Sequence, residues 1–269
     1  MAVPVNGPAR FYTPAGTLSC PPARRRGGIA IVSSHIVSLV DSMSRHKSPE
    51  EVEQERSQVL GPQLGPLFHA LHDEFAWLQM KWQEYRKLFA HTRERVELLN
   101  QTARTFFWIL QDVLWKDVLL HLARLVDASS TGRKTNLTIQ ALPASIADPT
   151  LAADVERLVG EAVARCDFAK DWRNRSLAHN DLNLRLDRAT QPLEGVSREH
   201  VETALKAVAD VLNRIELHYF KVATDFSRVV LTDDAESLVF HLGVAVKAEE
   251  RERRERRERW SPRERPSQE

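Results

Sequence analysis

From Lys170 the chain reads Lys170-Asp171-Trp172-Arg173-Asn174-Arg175-Ser176-Leu177-Ala178-His179-Asn180-Asp181. An arginine holds a phosphate through charge and a planar fork of donors. A histidine exchanges a proton near neutral pH. Arg173, Asn174, Arg175 and His179 therefore gather what metal-free chemistry on a phosphodiester needs. They supply positive charge where negative charge develops and an acid/base group beside it.

Nothing else in the chain is as specific. Glycine-rich phosphate loops, paired-cysteine metal spacing and a nucleophilic serine elbow are absent from the sequence. His69-x-x-His72-Asp73 puts two histidines on one helical face. Without a third ligand at a readable spacing they are expected to be surface or packing histidines, so neither metal nor cofactor is expected. The 269 residues carry a formal net charge of only +1, so a basic surface for nucleic acid must be local. Two cysteines, Cys20 and Cys166, exclude a disulfide framework and fit a reducing cytosol. No apolar run is long enough to span a bilayer, and a cytoplasmic location without membrane contact is expected.

The motif must be positioned by helices. Ser48-Pro49-Glu50-Glu51 starts the first, which should stop near Gly61-Pro62. A second run, Leu64 to Ala90, carries Phe68, Phe75, Trp77, Trp82, Tyr85 and Phe89, expected as core. Phe107, Leu110, Leu114, Val118, Leu122 and Leu125 form one face of a third helix, ending at Asp127. Ala128 to Asn136 is a polar loop containing Gly132. Thr138 caps a short helix ending near Pro143, and Asp148-Pro149 starts another. That helix has Val155, Val159, Ala162, Cys166 and Ala169 as its inward stripe. The next inward position is Arg173, which requires a partner or a cleft. Asn180-Asp181, Pro192 and Gly195 then break the pattern, so the helix is expected to end near His179. Ser197 caps a helix with Val201, Leu205, Val208, Leu212, Ile215 and Tyr219 in register. A last helix starts at Asp233 and runs through Leu238, Leu242 and Val246 into alternating glutamate and arginine up to Trp260. Four Glu–Arg pairs spaced four apart there read as a solvated single helix, fraying toward Pro262.

Residues 1–47 are expected to be a disordered leader, or translation from a start placed too far upstream, with Met43 the natural one. Residues 48–232 are the helical domain, and 233–269 the charged C-terminal helix and frayed tail. No strand alternation or internal repeat stands out, and the reading is all-α.

Arg173-Asn174 followed after further residues by His179 resembles the motif of the HEPN superfamily. The wider stretch from Lys170 to Asp181 is similar to the abortive-infection (AbiU-type), phage-defence branch. So is Leu122-Ala123-Arg124-Leu125-Val126-Asp127, followed by a polar loop and Asn136-Leu137-Thr138-Ile139. The resemblance covers roughly Arg56 to Asp225. It implies a small helical bundle, commonly a homodimer whose two motifs line a shared cleft. It implies a metal-independent endoribonuclease in which His179 helps activate the ribose 2′-hydroxyl. Arg173, with Asn174, stabilises the phosphorane-like charge, and a 2′,3′-cyclic phosphate results. RNA would be the substrate, and an antitoxin protein a partner in toxin–antitoxin biology. The alternative is a catalytically inactive HEPN module that binds nucleotide, RNA or a protein partner. The residues leave one choice open. A helix turns roughly 100° per residue, which puts Arg175 on the face of His179, whereas the resemblance selects Arg173. Arg175 and Asp127 are supporting residues. Arg173 pairing with Asp127 or Asp171, with His179 merely ending a helix, is the purely structural alternative.

Overall fold

The computed structural model describes residues 49–177, 195–229 and 233–260. All lie in the unit Lys47–Glu269. The leader, Met43, the Ser48 cap, His179, Pro192 and the chain after Trp260 lie outside the described residues.

The fold is an all-α bundle. Helix α1 spans Pro49–Phe89 and α2 spans Arg93–Leu125. Between Ser130–Thr131 (β1) and Lys134–Thr135 (β2) the polar loop folds into a minimal antiparallel ribbon, turned at Gly132. Two 3-10 turns follow, Ile139–Ala141 and Pro143–Ser145. Then come α3 (Pro149–Arg165), α4 (Asp167–Trp172), a π-helical turn (Arg173–Leu177), α5 (Arg198–Phe220) and α6 (Ala235–Trp260). Among the described residues, no helix is long and apolar enough to cross a membrane.

The start signals act as their chemistry requires. Asp148 Oδ1 accepts from the Thr150 and Leu151 amides at 2.8 and 3.3 Å. Ser197 and His200 close a reciprocal cap. For α6 the capping carboxylate is Asp234 rather than Asp233: its Oδ1 accepts from Glu236 and Ser237.

Helix α1 is two helices in one covalent run. Gly61 takes φ 82°, a left-handed value that favours glycine, and Pro62 restarts the helix. The fold-back brings Ser57 against Gly65, where an added Cβ would stand 2.6 Å from the Ser57 Cα. Helix α2 also bends, at Ala103.

The main core gathers Phe68, Phe75 and Trp82 of α1 with Val118 and Leu122 of α2, Val155 and Ala162 of α3, and Val208 and Leu212 of α5. Trp77 departs from the expected core stripe. It is 55% exposed, off the side of α1 that carries Phe68, Phe75 and Trp82, with Lys81 over its ring. Leu110 and Leu114 are only half-buried. A smaller cluster of Leu88, Leu99, Phe107 and Ala235 seats the start of α6. Lys87 reaches Asp234 at 2.6 Å, and the Arg95 fork takes both Glu236 carboxylate oxygens at 2.7 and 2.9 Å. Of the four expected glutamate–arginine pairs beyond it, Glu249–Arg253 forms an ion pair, at 3.5 Å.

Candidate functional site

Asp127 is placed by the chain that follows the ribbon. A helix leaves its last carbonyls without internal partners. The Thr138 hydroxyl lies 2.9 Å from the Leu125 carbonyl oxygen and 2.7 Å from that of Asp127, so its one proton is shared between them. Gln140 Nε2 donates to the Val126 oxygen at 2.8 Å. Asn136 Nδ2 donates to the Ala128 oxygen and to Thr131 Oγ1, closing the ribbon. Asp127 is thus fixed two residues beyond the end of α2.

The arginines are placed by α3 and α4. Val155, Val159, Ala162, Cys166 and Ala169 are all buried, the stripe expected from the sequence, and Leu151 is buried with them. Cys166 serves packing: burial pushes its thiol up to about 12, so it carries no thiolate near neutral pH. The stripe delivers Arg173 to the end of α2. There its Nη1 donates to both carboxylate oxygens of Asp127, and its Nε donates to Asn174 Oδ1 at 3.0 Å. Arg173 keeps Nη2 without a partner among the described residues. Arg175 Nη1 donates to Asp171 Oδ2 at 3.3 Å. Each of these two arginine side chains is 22% exposed.

Arg173, Asn174 and Asp127 are therefore brought together, Arg175 is held separately by Asp171, and His179 lies outside the described residues. From Arg173 to Leu177 the backbone makes π-helical bonds. Such turns are wider than α-turns and often mark functional sites.

Two further polar clusters carry charge in the bundle. His69 Nδ1 and His72 Nε2 both face the Arg56 guanidinium, at 3.5 and 3.3 Å, and His72 also approaches buried Glu216 at 3.5 Å. Burial first, and Arg56 second, hold the His72 imidazole below its ordinary value. Between α1 and α2, Lys81 bonds Asp117 and lies 3.0 Å from His121 Nδ1, and His121 Nε2 lies 2.9 Å from Glu74. Burial, then the Lys81 charge, also lower His121. The sequence carries no signal for this cluster, because its partners lie up to 47 residues apart on different helices.

The AbiU2 family, of HEPN type, matches residues 62–238, a span that runs from the restart of α1 into α6 and includes the whole motif. No curated protein and no solved structure matches the chain.

Proposed function

This chain belongs to the HEPN-type AbiU2 family, and from that membership we propose that it is a metal-independent endoribonuclease acting in abortive infection or as a toxin. The observation that carries the reading is Arg173. Asp127 and Asn174 fix two edges of its guanidinium, and among the described residues nothing takes Nη2. In the proposed reaction His179 accepts the proton of a ribose 2′-hydroxyl. The 2′-oxygen attacks the adjacent phosphorus, the bond to the 5′-oxygen breaks, and the leaving oxygen takes a proton. The products are a 2′,3′-cyclic phosphate and a 5′-hydroxyl. Arg173 Nη2 meets the charge that grows on the non-bridging oxygens, a role suited to a preorganised donor.

The reading includes a homodimer with two motifs in one cleft. Phe106, Ile109 and Val113 support it: spaced three and four apart on α2, each is at least half exposed, with exposed Trp108 beside them. Such a stripe is what an isologous helix interface buries. An antitoxin protein is the proposed partner in the toxin version. The ion pair to Asp127 also neutralises much of the Arg173 charge, which favours the inactive, nucleotide-, RNA- or protein-binding module as the second reading.

Purified protein incubated with mixed RNA in chelator decides between them. Cyclic phosphate ends are expected, lost in His179→Ala and Arg173→Ala and reduced less in Arg175→Ala. Cleavage that survives His179→Ala, or that stops with chelator, overturns the mechanism.

A further inference from the structure

Helix α1 doubles back at Gly61. In a straight helix Arg56 would stand about 20 and 24 Å from His69 and His72, at 1.5 Å per residue. Instead its guanidinium meets both rings: Nη1 donates to His69 Nδ1 at 3.5 Å and Nη2 to His72 Nε2 at 3.3 Å. The arm so formed, residues 49–60, packs thinly. Of its described side chains only Leu60, at the hinge, is buried. Arg56, which also lies 5.9 Å over the Phe68 ring, ties the arm to the bundle. Gly61 itself has open space around it.

The receiving pocket holds an arginine only while its histidines are neutral. A guanidinium has donors and no acceptor, so both ring nitrogens that face it present lone pairs. Glu216 of α5, 3% exposed, supplies the countercharge. Its Oε2 is committed to Thr224, accepting from the amide at 3.0 Å and from the hydroxyl at 2.7 Å. Its Oε1 is shared, 3.9 Å from Arg56 Nη2 and 3.5 Å from His72 Nε2. Asp73 lies 3.4 Å from His69 Nε2 and 3.5 Å from His72 Nδ1, but its side chain is 61% exposed and water screens its charge. The charged and titratable groups set around His72 are thus Arg56 from the arm, His69 and Asp73 from its own helix, and Glu216 from α5. The rings of Phe68 and Phe226 complete its surroundings, with centroids 6.1 and 5.1 Å away.

We propose that Arg56 is a latch released by acid: a proton on His72 Nε2 hands Glu216 Oε1 from the guanidinium to the imidazolium and frees the arm. The proton removes the lone pair that Arg56 used and sets two cations 3.3 Å apart. It also gives His72 Nε2 a hydrogen for Glu216, 3.5 Å away. His72 is held by two phenylalanine rings and stays. Arg56 leaves, because its side chain already reaches the surface, at 19% exposure, and its arm turns on a glycine. Burial, then the Arg56 charge, hold the latched His72 imidazole below its ordinary value. The latched form is therefore favoured at neutral pH and is lost as the pH falls through that lowered value. Asp127, Arg173 and Asn174 take no part, so the latch stands apart from the ribonuclease reading.

The test uses the full chain with a fluorescent donor and acceptor on Gln54→Cys and Val222→Cys, both exposed positions. Cys20→Ser removes the other cysteine, and buried Cys166 stays unlabelled. Energy transfer is followed from pH 7.5 to 4.5, with tryptophan emission beside it, because the arm holds no tryptophan. Transfer efficiency is expected to fall by at least half, centred below the roughly 6.5 of an ordinary histidine, with the emission maximum unchanged. His72→Gln keeps a neutral acceptor for Arg56 at every pH and should stay closed throughout. Arg56→Met should be open already at pH 7.5, with a flat profile near the acid value of the parent; it sits on the arm, so it leaves the bundle's core untouched. Reversal on return to pH 7.5 is expected. Efficiency that holds to pH 4.5, or that falls only together with the tryptophan emission, overturns the latch. So does an opening that persists in His72→Gln, or a closed Arg56→Met.

Discussion

Substituting Asp127 separates the two things its carboxylate does, stabilising the bundle and aiming Arg173. The two side chains are 22% and 29% exposed, between a surface ion pair, worth about 0–1 kcal/mol, and a buried one, whose breaking costs about 3–5. Asp127→Ala should therefore cost about 2 kcal/mol. Asp127→Asn should cost about 1, because a neutral acceptor remains where a charged one stood. Arg173→Ala should cost about 2, part of it from the packed stem of the side chain. Residues in contact do not add, so the Ala/Ala double variant should cost about 3, a coupling of about 1 kcal/mol. Cleavage should rank differently. Losing one preorganised donor costs about 10²–10³ in kcat, so Arg173→Ala should fall that far. Asp127→Asn keeps the arginine but loosens its aim, and about tenfold in kcat with little change in KM is expected, about 1.4 kcal/mol. Urea unfolding gives the stabilities, and initial cleavage rates across RNA concentrations give the split. Wild-type cleavage by Arg173→Ala, alongside the full stability loss, would reduce the pair to a structural tie. An inactive Asp127→Asn at wild-type stability would move the chemistry to Asp127 itself.

Three other outcomes follow from the bundle. Gly65→Ala should destabilise by about 1–3 kcal/mol, since its Cβ would meet the Ser57 backbone at 2.6 Å; Gly160→Ala, exposed within α3 with open space around it, should stabilise by about 1 kcal/mol, both read by chemical melts. His72 and His121 have folded pKa values below their unfolded ones, so the unfolded chain takes up protons first: stability should fall as pH drops below about 6.5, and a melting temperature flat from pH 7 to 5 would contradict the burial of both. Ile109→Glu with Val113→Glu should convert a dimer into a folded monomer by light scattering; an unchanged dimer would place the interface elsewhere.

The parts of this fold written in local spacing were open to reading. Asp148, Thr138 and Ser197 announce helix starts by side-chain chemistry two or three residues from the amides they cap, and Gly61-Pro62 announces a break because φ 82° is a glycine conformation. The stripe from Val155 to Ala169 points to Arg173 by simple continuation. What escaped was set by tertiary packing. Ala103 bends α2 with neither glycine nor proline to signal it. Trp77 counted as core by type, yet faces outward by position. The π-helical turn has no compositional mark in Arg-Asn-Arg-Ser-Leu.

Helix α6 is clamped at one end. Lys87 and Arg95 grip its first turn, while every residue from Glu249 to Trp260 is exposed. Those twelve residues amount to about 18 Å of rod at 1.5 Å per residue. A helix of that length transmits direction as well as distance. Whatever is joined beyond Trp260, a natural segment or an added label, begins at a set standoff from the bundle and on a set bearing. A push there acts with leverage on the Lys87 and Arg95 clamp rather than dissipating along a slack tether.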